Sequence, residues 1–171
     1  MRSLPLVLTA AGVAAVAGPV AAQSLTVAVD IPQIRTAGYH RPYVAIWIER
    51  PEGQVAVQTL SVWYDIALPA GEGKDWLKEM QTWWRKGGRS MTMPADGISG
   101  ATRAPGRQTV TISAARLRNV PTGNYNLVVE ASREQGGREV VRVPFRWGGA
   151  NTASGTGSSE LGAVRVTVAA R

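Results

Sequence analysis

Apolar and polar residues alternate along much of the chain. Leu25, Val27, Val29 and Ile31 fall on one side of a pleat, with Thr26, Ala28 and Asp30 between them. A period of two marks a half-buried strand. Tyr43 to Glu49 also alternates, but Val44, Ile46 and Ile48 on one face oppose Tyr43, Ala45 and Trp47 on the other. Both faces are apolar, which predicts a strand at the centre of a sheet. After the Pro51-Glu52-Gly53 turn come strand candidates over 54–57 and 60–66, and others follow at 108–113, 124–133, 138–147 and 161–169. Gly136-Gly137 turns 124–133 into 138–147, where Val141, Val143, Phe145 and Trp147 alternate, and so predicts a hairpin.

The period changes once. Trp76, Leu77, Met80, Trp83 and Trp84 share a stripe if the backbone is α-helical, with Asp75 as N-cap, Arg85 and Lys86 in the last turn and Gly87 as the stop. This predicts one amphipathic helix over 75–86 packed on the sheet. Residues 87–107 keep no period and carry Gly87, Gly88, Pro94, Gly97, Gly100, Pro105 and Gly106, so they read as a long loop, a feature uncommon in compact domains unless it has a function. Residues 148–159, rich in Gly, Ser and Thr, read as a flexible connector. Short strands, frequent turns and one inserted helix predict a mainly β, immunoglobulin-like β-sandwich.

Residues 1–22 hold Arg2 as their only charge, then an apolar stretch from Leu4 to Ala17, then Gly18-Pro19 and the small residues Ala21-Ala22. That order is a secretory signal peptide, with cleavage expected after Ala22 and a single domain over 23–171 in the periplasm. The stretch is short for a bilayer span, which needs about 20 apolar residues. The compartment permits disulfides, yet the 171 residues include no Cys, so thiol redox chemistry and thiolate metal sites are excluded. The one histidine, His40, lies between Tyr39 and Arg41 in a turn-like stretch, and a single imidazole excludes a histidine-rich metal site. Nineteen Lys and Arg against 12 Asp and Glu give a net charge of +7, which favours anionic partners. Export argues against nucleic acid as that partner.

The long loop contains Asp96-Gly97-Ile98-Ser99-Gly100-Ala101-Thr102. It resembles the acceptor motif of proteins modified by the periplasmic FAD:protein FMN transferase: Asp, two variable residues, Ser or Thr, Gly, Ala, then the acceptor hydroxyl. Every specified position agrees, and the resemblance implies a covalent FMN on Thr102. The residue types suit that chemistry. A hydroxyl that must enter a foreign active site and attack phosphorus needs an exposed, narrow backbone, and Gly97, Gly100 and Ala101 offer almost no side chain in the way. Asp96 can orient or deprotonate the hydroxyl, or meet a metal ion at the transferase site. Ser99 can close a local turn. Arg85, Lys86, Arg89, Arg103 and Arg107 flank the motif and are candidates to neutralise the phosphodiester.

Trp83-Trp84-Arg85, the seven-residue motif, Asn124 to Glu130, Gly136-Gly137-Arg138-Glu139 and Pro144-Phe145-Arg146-Trp147 together resemble the periplasmic domain-of-unknown-function family 2271 (DUF2271). That resemblance implies a flavin-bearing electron-transfer partner of a PepSY-type membrane redox protein. Arg103-Ala104-Pro105-Gly106 departs from the better-known FMN-binding domains of respiratory sodium pumps, where more Ser or Thr and a helix follow the acceptor, so ring contacts do not carry over from them. Trp63, Trp83 and Trp84 are candidates to stack on the ring, although a stripe of this kind normally faces the interior. The competing reading is a non-redox periplasmic binding or assembly module, in which the glycine-rich loop is only a turn. A hydrolase is disfavoured by the lack of a Gly-x-Ser-x-Gly elbow.

Overall fold

A computed structural model describes residues 23–170; the signal peptide expected over 1–22 lies outside them. Among the described residues nine strands form two facing sheets. They are β1 (Ser24–Ile31), β2 (Tyr43–Glu49), β3 (Ala56–Tyr64), β4 (Ser99–Ala101), β5 (Gly106–Ser113), β6 (Gly123–Ser132), β7 (Arg138–Trp147), β8 (Asn151–Thr156) and β9 (Ala163–Val168). One sheet has the order β5-β1-β9-β8 and the other β4-β3-β2-β6-β7. Pairing is antiparallel except between β3 and β4. The mainly β sandwich is the one the patterning predicts.

The core follows the alternation. Leu25, Val27 and Val29 of β1 and Val164, Val166 and Val168 of β9 meet Val44, Ile46 and Ile48 of β2 and Leu127 and Val129 of β6 between the sheets. Strand β2 is central, and its opposite face, with Ala45 and Trp47, is covered by a helical layer. Leu77, Met80 and Trp83 descend from that layer onto Val62, Tyr64 and Val128. Full burial of each such large side chain contributes about 1.5–3 kcal/mol. The two strand candidates at 54–57 and 60–66 are one strand, β3, whose pairing with β2 shifts register at Ile46/Trp47 and at Ile48/Glu49. Those irregularities interrupt the alternation and split its signal.

Two expectations need correction. The helix expected over 75–86 is a 3-10 segment from Pro69 to Glu79, a break at Met80 (φ −78, ψ 68), and then one short α-helix, α1 (Gln81–Lys86). Tighter winding, about 3.0 residues per turn, puts Trp76 out of phase with the stripe. Trp76 is 55% exposed, whereas Leu77, Met80 and Trp83 are buried and Trp84 is half-buried. Second, the connector expected over 148–159 contains β8, an edge strand with no buried residue. A Cβ on Gly155 would lie 3.1 Å from Val143 Cγ2, so small residues let β8 approach β7 closely.

Two buried carboxylates fasten α1 to the sheet. Glu130 of β6 accepts hydrogen bonds from the backbone N–H groups of Thr82 (3.0 Å) and Trp83 (2.7 Å), and from Arg138 Nη1 (2.7 Å). Glu49 of β2 accepts from Lys86 Nζ at 2.9 Å and from Arg142 Nε at 2.8 Å. Burial alone would raise the Glu49 pKa, but the hydrogen bonds from Arg142 and Lys86 outweigh it and hold the carboxyl below its ordinary range.

Candidate functional site

The motif forms a hairpin-like turn that feeds the edge of the larger sheet. The N–H groups of Ile98 (3.1 Å) and Ser99 (2.9 Å) donate to the Ala95 carbonyl, and Ser99 Oγ accepts from Ala95 N–H at 2.9 Å. Asp96 and Gly97 are exposed at the tip, and Gly97 has φ +67, a left-handed conformation that favours glycine. Ser99, Gly100 and Ala101 then pair with Val62, Trp63 and Tyr64 as β4. The Thr102 N–H donates to the Tyr64 carbonyl at 3.2 Å. The 87–107 segment is therefore not a continuous loop: its acceptor end is anchored to the sheet.

Asp96 and Thr102 face different hollows. Asp96, Gly97 and Ser99 border a shallow one of about 360 Å³, shared with Lys74 and Ile66. Thr102 is half-buried on the wall of a larger cleft of about 860 Å³. Asp65 borders both.

The larger cleft lies where separate segments converge: residues 39–41 before β2 and Tyr43 at its start, Asp65 and Leu68 after β3, the helical layer at Trp76, Glu79 and Gln81, Thr102 after β4, and the turn between β6 and β7 with its flanking Ser132 and Arg138. Burial raises the pKa values of the Tyr39 and Tyr43 hydroxyls, keeping both protonated at neutral pH. Tyr39 Oη is buried with no hydrogen-bond partner among the described residues. His40 Nδ1 lies 3.4 Å from Glu134 Oε2. Buried Glu160 braces the wall, accepting from Arg133 Nε (2.8 Å), Arg133 Nη2 (3.0 Å) and Gly137 N–H (2.7 Å).

Three of the five cations flanking the motif in sequence are engaged elsewhere. Lys86 is held by Glu49 and by the Gln54 carbonyl, and Arg107 pairs with Asp30 at 2.9 Å. The Arg103 guanidinium lies 4.1 Å from the Trp63 ring centroid and donates to the Thr109 carbonyl. None of Arg85, Lys86, Arg89, Arg103 and Arg107 lines the Thr102 cleft. Its cations are Arg41, Arg133 and Arg138, with Arg133 and Arg138 paired to Glu160 and Glu130. Trp63 and Trp83 are buried, each donating its indole N–H, to Ser61 Oγ at 2.9 Å and Thr59 Oγ1 at 3.0 Å. Trp84 packs half-buried against the helical layer's cluster. Core packing accounts for all three.

Sequence reading missed Trp76, Tyr43, Arg133 and Arg138 as site residues, because segments far apart in the chain bring them together. The signals available were the tryptophan whose phase depends on helix type and the cation-rich turn at Gly136-Gly137. Among the described residues no cluster of His, Asp and Glu could hold a metal ion, and no helix is long and apolar enough to cross a membrane.

Fold and cleft define a small β-sandwich domain with a cleft lined by aromatic side chains and by charges of both signs. The chain belongs to the domain-of-unknown-function family 2271, described as a predicted periplasmic protein, whose model matches residues 24–163. It is accordingly a periplasmic protein, and the match takes in the larger sheet, the cleft and the motif. Curated proteins and solved structures give no match.

Proposed function

We propose that the protein is a periplasmic electron carrier with FMN joined covalently to Thr102, delivered by an FAD:protein FMN transferase and serving a PepSY-type membrane redox protein. The observation that carries this reading is the position of Thr102: it follows an exposed, glycine-bearing turn and borders a cleft of about 860 Å³ whose walls carry Tyr39, Tyr43, Trp76 and Arg41 beside the carboxylates of Asp65, Glu79 and Glu134. Cofactor pockets commonly measure about 300–1,000 Å³.

In the attachment step, Thr102 Oγ1 attacks the FMN phosphorus of FAD. The new Oγ1–P bond forms as the pyrophosphate P–O bond breaks, AMP leaves, and the hydroxyl proton passes to a base. Exposed Asp96 at the turn tip is available to the transferase, while Ser99 holds the turn's shape. Because Asp96 and Thr102 border different hollows, Asp96 serves attachment and not retention of the cofactor. Bound flavin supplies reversible one- or two-electron chemistry, and this chain supplies placement and electrostatics. Arg41, Tyr43 and Trp76 share that cleft with Thr102.

The test is expression of the mature domain in a periplasm with an active transferase, followed by denaturing electrophoresis read by flavin fluorescence. A fluorescent band that disappears in Thr102→Ala supports the carrier. A dark band beside a labelled control substrate favours a non-redox binding module.

A further inference from the structure

Trp76 is the outlier of the cleft. Burial of a tryptophan removes about 150–250 Å² from water. Leu77, Met80 and Trp83 of the same layer realise such burial, yet Trp76 stays 55% exposed. The exposed large apolar side chains among the described residues are Val55, Ile66 and Trp76, and of these Trp76 alone lines the large cleft. Its position is built in. Gly73, three residues earlier, packs so tightly that a Cβ there would stand 1.8 Å from the Asp65 carbonyl oxygen, and Leu77, the next residue, is buried in the layer. Lys78 Nζ stands 5.7 Å from the indole centroid, a cation–π distance that further restrains the ring.

The same cleft carries charges of both signs, with Asp65, Glu79 and Glu134 as its carboxylates. Arg133 and Arg138 are neutralised by Glu160 and Glu130, while Arg41 forms no ion pair among the described residues. A rigid, exposed indole and an uncommitted guanidinium share a cleft about 12 Å across if rounded to a sphere.

Resting on the reading of Thr102 above, we infer that Trp76 is the platform on which the isoalloxazine ring stacks, and that Arg41 meets the cofactor's phosphate. The ribityl chain separates phosphate from ring, so a tether at Thr102 leaves the ring free to reach Trp76 across the cleft. Stacking on an indole quenches flavin emission, and that supplies a readout independent of electron transfer.

The experiment measures flavin fluorescence per mole of attached FMN in the folded, labelled protein, with attachment counted by intact mass. Wild type is expected to be quenched several-fold against free FMN. Trp76→Leu should recover most of the emission per attached FMN, and Arg41→Gln should recover part of it. Free-like emission in labelled wild type, or quenching that survives Trp76→Leu, overturns the inference while leaving attachment intact. If intact mass shows no label, the Thr102 reading fails instead. The ring site is then decided by titrating the unlabelled protein with FMN. Saturable quenching that is lost in Trp76→Leu upholds it, and no saturable quenching up to about 1 mM FMN overturns it.

Discussion

Replacing Glu130 tests what holds the helical layer, and with it one wall of the cleft. The carboxylate is fully buried and receives three donors: the N–H groups of Thr82 and Trp83 at the start of α1, and Arg138 Nη1. Each hydrogen bond to a charged group contributes about 1.5–3 kcal/mol, and removing one member of a buried pair costs about 3–5 kcal/mol because the partner is stranded. Glu130→Gln keeps the shape but offers one acceptor to three donors and adds an NH2 group among them. We expect Glu130→Gln to lose about 3 kcal/mol and Glu130→Ala about 4 kcal/mol. Arg138→Ala leaves the carboxylate its two backbone donors, and about 1–2 kcal/mol should go. With an m-value of about 2 kcal/mol/M in urea, the Glu130→Gln midpoint falls by about 1.5 M. Near-ultraviolet circular dichroism of Trp83 should weaken before the midpoint if the layer loosens first. A loss below about 0.5 kcal/mol for Glu130→Gln, with unchanged m, would refute the claim that this carboxylate pins α1.

Gly73→Ala forces a methyl group onto the Asp65 carbonyl oxygen, and overpacking costs about 1–3 kcal/mol or more, so its melting temperature should fall clearly below wild type while Gly149→Ala, facing open space, is neutral. Glu139 is pushed up by burial, but hydrogen bonds from the N–H groups of Ser158, Leu161 and Ser159 and from the Ser158 hydroxyl outweigh this and lower its pKa from 4.5 to about 2. A folded-state value below the unfolded one stabilises fully above about pH 4.5 and is lost as pH falls toward 2; after allowance for solvent screening the effect is about 2 kcal/mol, and acid titration of Glu139→Gln should show a correspondingly shallower loss. Trp76→Phe should remove most acrylamide-accessible tryptophan emission from the unlabelled protein, since Trp47, Trp63, Trp83 and Trp147 are buried and Trp84 is half-buried; persistence of most of that emission would contradict the exposed position of Trp76.

Legibility in the sequence tracked periodicity. Strands whose inward residues are Val, Ile and Leu declare themselves, and β2 announced its central place because each of its faces meets a hydrophobic layer. β8 did not, since Asn151 to Thr156 packs by smallness at an edge and buries no side chain that would mark a period. The helical layer misled in a different way. Leu77, Met80 and Trp83 fit an α stripe, but Ala70 and Gly71 have positive φ and the backbone winds as 3-10 before Met80, so Trp76 left the stripe for the cleft. The turn carrying Asp96, Gly97 and Ser99 was readable because its geometry is local. The cleft beside Thr102 was not, because Arg41, Trp76 and Arg138 come together only through sheet order.

The central claim is a bond at one oxygen, and tandem mass spectrometry of the tryptic peptide spanning Ser90 to Arg103 addresses it most directly. From protein matured beside an active transferase, the peptide should carry one FMN less one water, with fragment ions locating it on Thr102. An unmodified peptide at full recovery, or the added mass on Ser90, Thr92 or Ser99, would contradict the account.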